Sequence, residues 1–268
     1  MIPRRVRRPR GILTLALLAL LLYAWGVERF WIEVTVHRVV LPLEAPLRLL
    51  HLSDLHTSGR GRREARMLAL AAQLHPDVIV ITGDIVANGP PGLQAAEREG
   101  LRSVLSELHA PLGAFAVPGN WEHARGLRDP HPLFEGTPVR LLQNEGVEIR
   151  AGLWIVGLDD AWAGAPEEAF RGVPRGATAI ALLHSPAPFP EIAPRAALVL
   201  AGHSHGGQVR LPFLPPLWTP PETNGYVAGW YEAGAARLYV NRGLGTSLLP
   251  LRFLCRPEMT VIDAGPPS

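Results

Sequence analysis

The sequence predicts an α/β domain built from layers of strands and helices, preceded by one apolar N-terminal helix. Three observations support this prediction. Short apolar runs recur along most of the chain, helical patterns separate several of them, and one longer uncharged stretch lies near the N-terminus. The chain has 268 residues, of which 47% are hydrophobic, so it has enough apolar material for a large core and a disordered chain is excluded.

The uncharged stretch runs from Gly11 to Val27 and follows five arginines within the first ten residues. As a helix it would span roughly 25 Å, against about 30 Å for the hydrocarbon core of a bilayer. Aromatic residues that suit a membrane interface lie at its far end, and they are Tyr23, Trp25, Phe30 and Trp31. Because arginine-rich flanks stay in the cytoplasm, we predict that residues 1–27 form a flank and a single-pass signal anchor. The N-terminus would lie inside the cytoplasm and the rest of the chain outside it.

Two other interpretations of this segment are open. Ala24-Trp25-Gly26 is a weak small-x-small site, so the segment could be a cleaved signal peptide. The paired arginines could mark twin-arginine export, although the rest of that signature is absent. A buried soluble helix is disfavoured by the arginines beside it.

After the helix, residues 28–45 are predicted to be a linker and first strand, because Ile32–Val36 alternates between apolar and polar residues. The main domain is assigned to residues 46–268. Its predicted strands are the apolar runs Leu47–Leu52, Val78–Ile81, Ala114–Val117, Leu153–Leu158, Ala179–Leu183, Ala197–Leu200 and Leu238–Val240. One-sided apolar patterns predict helices over Arg62–Leu74 and Gln94–Leu108.

The proline-dense stretch Pro212–Pro221 is predicted to be a long surface loop. Four aromatic residues lie in or after it, namely Trp218, Tyr226, Trp230 and Tyr231. They could form a rim that touches lipid, or they could pack the loop onto the domain.

Charge and cysteine content exclude several functions. The net charge is only +2, and the first ten residues carry five arginines, so the remaining chain is slightly acidic. We therefore expect no nucleic-acid partner, and a single-strand nuclease is a minor alternative. Cys255 is the only cysteine, which rules out an internal disulfide and a cysteine-based zinc site.

Polar side chains follow five of the predicted strands, at the point where each strand ends. They are Asp54 and His56, Asp84, Asn120, His184, and His203 and His205. Ligand sites of open α/β sheets lie outside the carboxyl ends of strands, so these seven side chains should converge on one crevice. A single histidine is more often a hydrogen-bonded polar side chain than a metal ligand. An ordered set of such residues at strand ends instead favours metal binding.

Carboxylate, imidazole and amide oxygen ligands suit divalent Mn, Fe or Zn. Seven ligands are too many for one tetrahedral zinc, but they suit two ions if one carboxylate bridges them. Asp84 is the natural bridge, because it ends a central strand and follows a glycine. Two ions about 3.5–4 Å apart can bind a phosphate jointly, generate hydroxide near neutral pH and stabilise an in-line displacement.

With these motifs in the same order, the chain resembles the calcineurin-like metallophosphoesterase superfamily from about Leu47 to Ile262. Gly206-Gly207-Gln208 and Asn241–Gly245 further resemble a bacterial membrane-anchored branch, which includes phosphodiesterases and UDP-2,3-diacylglucosamine pyrophosphatases. The resemblance implies a two-sheet sandwich flanked by helices, in four layers. It also implies that Asp84 bridges two metals, one held by Asp54, His56 and His205, the other by Asn120, His184 and His203.

We therefore predict a dinuclear-metal hydrolase of phosphate esters at the bacterial cytoplasmic membrane, acting on a substrate that could be lipid-linked. A pyrophosphatase of lipid precursor synthesis is one alternative, although a nucleotide-linked precursor would be met inside the cell. A catalytically weakened module that binds metal or phosphate is another. The sequence leaves the oligomeric state open.

One motif departs from the family pattern. The residue after the motif asparagine is usually a histidine that assists the leaving group, but here it is Trp121. His123 could take that role, and it is predicted to be a catalytic residue together with Asp84. Alternatively, the enzyme could do without a general acid, and His123 could be a surface loop residue. Loss of a general acid typically costs ~10²–10⁴-fold, and least with activated leaving groups. Asn120 and Arg242 are predicted to contact the substrate phosphate, with an ion pair or a capping role as the alternative for Arg242.

Overall fold

A computed structural model of the chain describes residues 9–127, 129–160 and 164–266. Within these residues, two six-stranded sheets pack face to face and helices cover their outer faces. The predicted α/β architecture of four layers is confirmed. The helices are α1 (Pro9–Gly26), α2 (Arg62–Leu74), α3 (Ala95–Leu105), α4 (Asn120–Ala124), α5 (Pro166–Ala169) and α6 (Phe189–Ile192).

The first sheet has the strand order β1-β12-β2-β3-β4-β5. Its strands are β1 (Glu33–Val40), β2 (Leu47–Leu52), β3 (Val78–Thr82), β4 (Ala114–Val117), β5 (Val139–Leu141) and β12 (Glu258–Gly265). β2, β3, β4 and β5 are parallel neighbours, whereas β12 runs antiparallel to β2 and parallel to β1. The carboxyl ends of β2, β3 and β4 therefore lie side by side.

The second sheet has the order β10-β11-β9-β8-β7-β6. Its strands are β6 (Glu145–Arg150), β7 (Leu153–Gly157), β8 (Thr178–Leu182), β9 (Leu198–Ala201), β10 (Gly229–Ala233) and β11 (Ala236–Val240). The four central strands are parallel, and an antiparallel strand closes each edge. Both sheets therefore bring several strand ends to the same side of the sandwich.

Alternation along each strand decides which layer a side chain enters. In β2, Leu49 joins the core between the sheets, and Leu50 joins the core under α2 and α3. In β8, Ile180 faces the inner core, and Ala181 packs in the outer core with Phe189 of α6. Because both faces of these strands are buried, they appear in the sequence as continuous apolar runs.

The apolar runs predicted as strands are confirmed with shifts of one or two residues at their ends, and Pro212–Pro221 contains no helix or strand, as predicted. The sequence did not reveal β5, β6, β10 and β12. β6 and β10 are partly exposed edge strands, so they lack the continuous apolar run that marks a buried strand.

The N-terminal helix is confirmed, and α1 continues into a short 3₁₀ turn over Glu28–Phe30. By length and composition, the segment Gly11–Phe30 could cross a membrane. Its end is fixed to the domain, since the Ala24 carbonyl accepts a hydrogen bond from Arg252 N–H at 3.2 Å. The Glu28 carboxylate likewise accepts from Cys255 N–H at 2.7 Å.

A buried carboxylate, that of Glu258, connects β1, β11 and β12 at the side of the first sheet. Oε1 accepts hydrogen bonds from Thr35 and Tyr239, and Oε2 accepts from the backbone and guanidinium nitrogens of Arg242. Burial alone would raise the pKa of Glu258, but the Arg242 charge and these donors lower it to about 2. The carboxylate form therefore stabilises the fold.

The Glu258→Gln change is expected to reduce the free energy of unfolding by about 3 kcal/mol at neutral pH, because it removes a carboxylate with a strongly lowered pKa. A lowered pKa gives stability that is complete above about pH 4.5 and is lost as the pH falls towards 2, so the two proteins should converge in acid. Urea unfolding of the full chain in detergent, followed by tryptophan fluorescence, measures the difference. Glu232→Gln, at an exposed ion pair with Arg237, is the matched control. Equal stability of Glu258→Gln and wild type at neutral pH would contradict this role.

Candidate metal centre

The predicted ligand residues follow strands of both sheets and meet where those strands end. Asp54 and His56 follow β2, Asp84 follows β3, and Asn120 begins α4 after β4. From the second sheet, His184 follows β8, and His203 and His205 follow β9. Residues far apart in sequence therefore line one crevice between the sheets, as the strand-end pattern predicted.

The imidazoles and carboxylates form two buried groups that share one residue. Asp54, His56, Asp84 and His205 place one ligand atom each within 4.8 Å of one another, and Asp84, His184 and His203 do the same. The seventh predicted residue adjoins the second group, since Asn120 Oδ1 lies 2.9 Å from His184 Nε2. The shared Asp84 Oδ2 lies 3.5 Å from His56 Nε2 and 3.3 Å from His184 Nε2.

These separations fit ligands that surround common ions. His56 Nε2 lies 3.1 Å from His205 Nε2, and His184 Nε2 lies 3.0 Å from His203 Nδ1. Two nitrogens that each lie about 2.1 Å from one divalent ion would be about 3.0–3.4 Å apart. Ring nitrogens that face each other at this distance suit a shared cation.

The second ring nitrogens of two histidines are hydrogen-bonded as in metal sites. His184 Nδ1 lies 2.8 Å from the Thr82 carbonyl oxygen, and His203 Nε2 lies 2.8 Å from the Pro221 carbonyl oxygen. Because a carbonyl only accepts, these nitrogens carry the protons. In the neutral form of each ring, the opposite nitrogen faces the crevice without a proton and is able to ligate.

The electrostatics of the crevice favour neutral imidazoles at most positions. Burial lowers the pKa of His56 and of His203 to about 4, and it lowers the pKa of His205 well below its usual value. His184 differs, because the charge of Asp84 outweighs burial and raises its pKa to about 10. His184 in turn outweighs the effect of burial on Asp84 and lowers the pKa of that carboxyl to about 2. Asp84, which both groups share, thus keeps a charged carboxylate.

Five of the seven residues adopt left-handed backbone conformations, with φ between 42° and 66°. They are Asp54, His56, Asp84, His203 and His205. Such a conformation costs of order 1–3 kcal/mol for a residue other than glycine, and it persists only where the surrounding structure imposes it. Strain of this kind clusters at functional sites.

Two glycines allow the crevice to close. A Cβ at Gly119 would collide with the backbone and side chain of Asp84, and a Cβ at Gly202 would collide with Ser53 and Asp54. The glycines before Asn120 and His203 are therefore required by close approach, in addition to ending strands.

The sequence did not reveal Glu122, which holds the backbone of two loops that line the crevice. Its carboxylate accepts hydrogen bonds from the backbone N–H groups of Asp84, Ile85, Val86 and Gly119 at 2.7–3.1 Å. Burial and the charge of Asp84 raise the pKa of Glu122 to about 7. The available signal was its position, since a glutamate three residues after the N-cap of a helix can accept the N-cap N–H, as Glu122 does from Gly119.

His123 lies one helical turn after Asn120, and its Nε2 is 2.8 Å from Asp159 Oδ1. That hydrogen bond raises the pKa of His123, despite partial burial. Trp121 lies between Asn120 and His123 in the sequence. Its ring is 6.4 Å from the His56 ring, and its backbone N–H donates to Asp84 Oδ1 at 2.8 Å. Trp121 thus orients the carboxylate of Asp84 through its backbone, and His123, two residues further along the chain, pairs with a carboxylate.

Arg242, predicted as a phosphate contact, lies in an ion pair. Its Nε donates to Glu258 at 3.0 Å and its Nη2 donates to Glu33 at 2.9 Å. The structure thus shows the alternative role of this arginine, and the phosphate contact stays a prediction. Asn120 lies within the crevice, as described above.

Comparison with known proteins agrees with this geometry. The calcineurin-like phosphoesterase family matches residues 47–207. The uncharacterized metallophosphoesterase YkuE of Bacillus subtilis is 33% identical over 253 residues, covering 89% of this chain and 87% of the relative. Phosphodiesterase YaeI of Escherichia coli is 31% identical over 255 residues, covering 90% and 91%.

A third relative is the UDP-2,3-diacylglucosamine pyrophosphatase LpxG of Chlamydia muridarum, which is 28% identical and covered to 83%, with 81% of this chain matched. A solved crystal structure has a similar fold, with a TM-score of 0.50 at 13% identity over 74% of this chain and 91% of that one. The family match spans more than half of the chain and includes all seven residues of the crevice. The chain therefore belongs to the calcineurin-like phosphoesterase family and is a phosphoesterase.

Proposed function

We propose that the chain hydrolyses phosphate esters at a pair of divalent metal ions held by the seven crevice residues. The observation that carries this proposal is the pair of buried ligand groups that share Asp84. Seven converging side chains, five of them in strained conformations, have no comparable role in packing a core.

The grouping suggests which residues hold each ion. Asp54, His56 and His205 would hold the first ion, and Asn120, His184 and His203 the second. Asp84 would bridge them, because its Oδ2 lies between His56 and His184. A set of imidazole, carboxylate and amide oxygen ligands suits Mn, Fe or Zn.

The chemistry of a two-metal site is to polarise a phosphoryl oxygen and to lower the pKa of bound water. The chain's own residues orient that site. Trp121 N–H fixes one oxygen of Asp84, and His203 N–H donates to both oxygens of Asp54 at 3.1 Å. Asn120 directs Oδ1 at His184, which leaves its amide N–H groups as donors for a substrate oxygen.

His123 is our candidate for proton donation to the leaving group. Its hydrogen bond to Asp159 raises its pKa, so the protonated form persists towards neutral pH. This histidine would replace the one that the family usually carries at the position of Trp121. Arg242 would contribute to phosphate binding only by giving up part of its pairing with Glu33 and Glu258.

We further propose that α1 anchors the enzyme in a membrane, with the N-terminus in the cytoplasm and the domain outside. The docked end of α1 supports an anchor that remains attached, because Ala24 and Glu28 both bond to the domain. The substrate would then be a membrane-associated phosphodiester. Similarity to LpxG favours UDP-2,3-diacylglucosamine-type pyrophosphate hydrolysis as a second candidate, and it would require the opposite placement of the domain.

The Asp84→Asn change is expected to lower hydrolysis of an aryl phosphodiester by more than about 100-fold. Loss of a residue that only supports a metal ligand costs up to about 100-fold, and loss of a ligand shared by two ions should cost more. The same change should lower the content of bound Mn, Fe or Zn, measured by elemental analysis of the full chain in detergent. Asp129→Asn, at an exposed ion pair with His131, is the matched control. Wild-type protein that binds metal but turns over no phosphate monoester or diester with Mn supplied would favour a binding module.

The His123→Ala change is expected to slow hydrolysis of an alkyl phosphodiester by about 10²-fold or more, and of an aryl phosphodiester far less. Only the protonated imidazole donates, so alkyl-ester activity should fall as the pH rises through the raised pKa of His123. Asp159→Asn replaces the charged partner that raises this pKa by a neutral one and should move the fall to lower pH. Initial rates across a pH series measure both effects, with the exposed His131→Ala as control. Equal losses on both esters would exclude proton donation by His123.

The placement of the domain can be tested by reporter fusions at the C-terminus in a bacterial host. Because the arginine-rich flank favours the cytoplasm, a reporter active only outside the cytoplasm is expected to give the signal. A signal only from cytoplasmic reporters would refute this placement and favour the nucleotide-linked lipid precursor as substrate.

A further inference from the structure

We propose that an apolar groove beside the metal centre binds an acyl chain of a lipid phosphoester drawn from the membrane in which α1 is anchored. This inference rests on the proposed function, since it assigns a substrate class to the same site. It follows from where the exposed apolar side chains lie relative to His205 and to the end of α1.

Two loops expose an unusual number of large apolar side chains. The first is the proline-rich loop after β9, and the second connects β11 to β12. Together they form what we call the apolar rim, consisting of Leu211, Phe213, Leu214, Leu217, Trp218, Leu248, Leu249 and Leu254. Phe213 is fully exposed and Leu248 is 70% exposed. Clusters of this kind on a folded domain mark contact with a membrane, a ligand or a protein.

The groove lies between these two loops and has a volume of about 290 Å³. Its apolar walls include Val209, Leu217, Trp218, Leu248 and Leu249. Gln208 also lines it, but both ends of its amide are used, since Nε2 donates to the Leu249 carbonyl and Oε1 accepts from Ser247 N–H. A peptide backbone would leave polar groups unsatisfied against such walls, whereas an acyl chain has none to satisfy.

The groove begins beside the crevice, because the proline-rich loop is attached to it at both ends. Gly207, which lines the groove, is two residues from His205, and a Cβ at this position would meet Pro216 and the Trp218 carbonyl. At the other end of the loop, the Pro221 carbonyl accepts a hydrogen bond from His203. A phosphoester held in the crevice could therefore extend an acyl chain directly into the groove.

The end of α1 joins the domain on the same face. The Ala24 carbonyl accepts from Arg252 N–H, and Arg29 Nη1 donates to the Pro250 carbonyl at 2.9 Å. Both partners lie between Leu249 and Leu254 of the apolar rim. Because a membrane-spanning helix leaves the bilayer where it meets the domain, the rim lies close to the lipid surface. Because the rim and the end of α1 are joined in this way, we assign a membrane lipid as the occupant of the groove.

Aromatic and cationic side chains around the end of α1 fit a lipid interface. Trp25 and Trp31 are about half exposed. The Arg29 guanidinium lies over the Trp25 ring, and that of Arg256 lies over the Trp31 ring. Amphipathic aromatics prefer the head-group region, and arginines there attract anionic lipids.

Three rim residues adopt left-handed backbone conformations. Phe213, Leu248 and Leu254 have φ of 65°, 49° and 51°, which side chains of this size rarely adopt. As with the crevice residues, such conformations point to a functional constraint.

Photolabelling tests the groove without requiring turnover. The full chain in lipid nanodiscs would be irradiated with a phosphatidic acid that carries a diazirine at the end of one acyl chain. Labelling at Leu217, Trp218 or Leu248 is expected in addition to labelling of α1, which serves as the internal positive control. Labelling confined to α1 would overturn the proposal.

Variants make the labelling test quantitative. Leu248→Asp and Leu249→Asp together should lower labelling of the rim at least about tenfold relative to α1, because a charge is costly in a hydrocarbon environment. The matched control is Val36→Asp, at an exposed apolar residue of β1. Undiminished labelling of the rim in the double variant would also overturn the proposal.

Kinetics separate the groove from the proposed reaction. For soluble aryl alkyl phosphodiesters of increasing chain length, kcat/KM should rise by up to about fourfold per added methylene until the groove is full. Leu248→Ser with Leu249→Ser should flatten this dependence, and Val36→Ser should not. A wild-type enzyme that cleaves every chain length equally would refute the groove and leave phosphoester hydrolysis intact. An enzyme that cleaves none would refute the proposed function, while labelling still decides the groove.

Discussion

The buried carboxylate of Asp84 is the group on which the arrangement of the crevice depends. It belongs to both ligand groups, and its two oxygens have different partners. Oδ2 faces His56 and His184, whereas Oδ1 accepts the backbone N–H of Trp121. A negative carboxylate shared by both groups would offset the repulsion between two cations held beside it. Displacement of this one side chain would therefore disturb both groups at once.

A crevice with so many buried polar groups is stable only because the surrounding structure holds each of them. Glu122 accepts from the backbone on both sides of Asp84, and Thr82 receives a hydrogen bond from His184. The loops also lie between two large apolar cores, one inside the sandwich and one under α2 and α3. This packing offsets the free-energy cost of the left-handed backbone conformations, and it holds the side chains of the two groups in place.

The loops that extend from the crevice differ in character from the crevice itself. Family members share a reaction centre and differ in the loops that select their substrates. Here the proline-rich loop is tied to His203 by the Pro221 carbonyl and carries exposed apolar side chains at its tip. The segment before β12 holds the end of α1 through Arg252 and Cys255. In the arrangement that we propose, the centre, the apolar rim and the anchor would lie along one face, from which the enzyme would reach a lipid.

The sequence by itself determined the layered α/β fold and placed the candidate ligand residues at the ends of strands. Buried parallel strands appear as apolar runs such as Val78–Ile81, and each polar residue that follows such a run lies at a predictable edge. Tertiary structure alone decided what depends on neighbours distant in sequence. Glu122 bonds to the loop of Asp84, His123 pairs with Asp159, and Arg242 pairs with Glu33. The partially exposed edge strands were also missed, because pairing rather than hydrophobicity defines them. The local sequence pattern determines where a residue lies along its strand. The hydrogen-bond partner of its side chain and its backbone conformation depend instead on how the two sheets pack together.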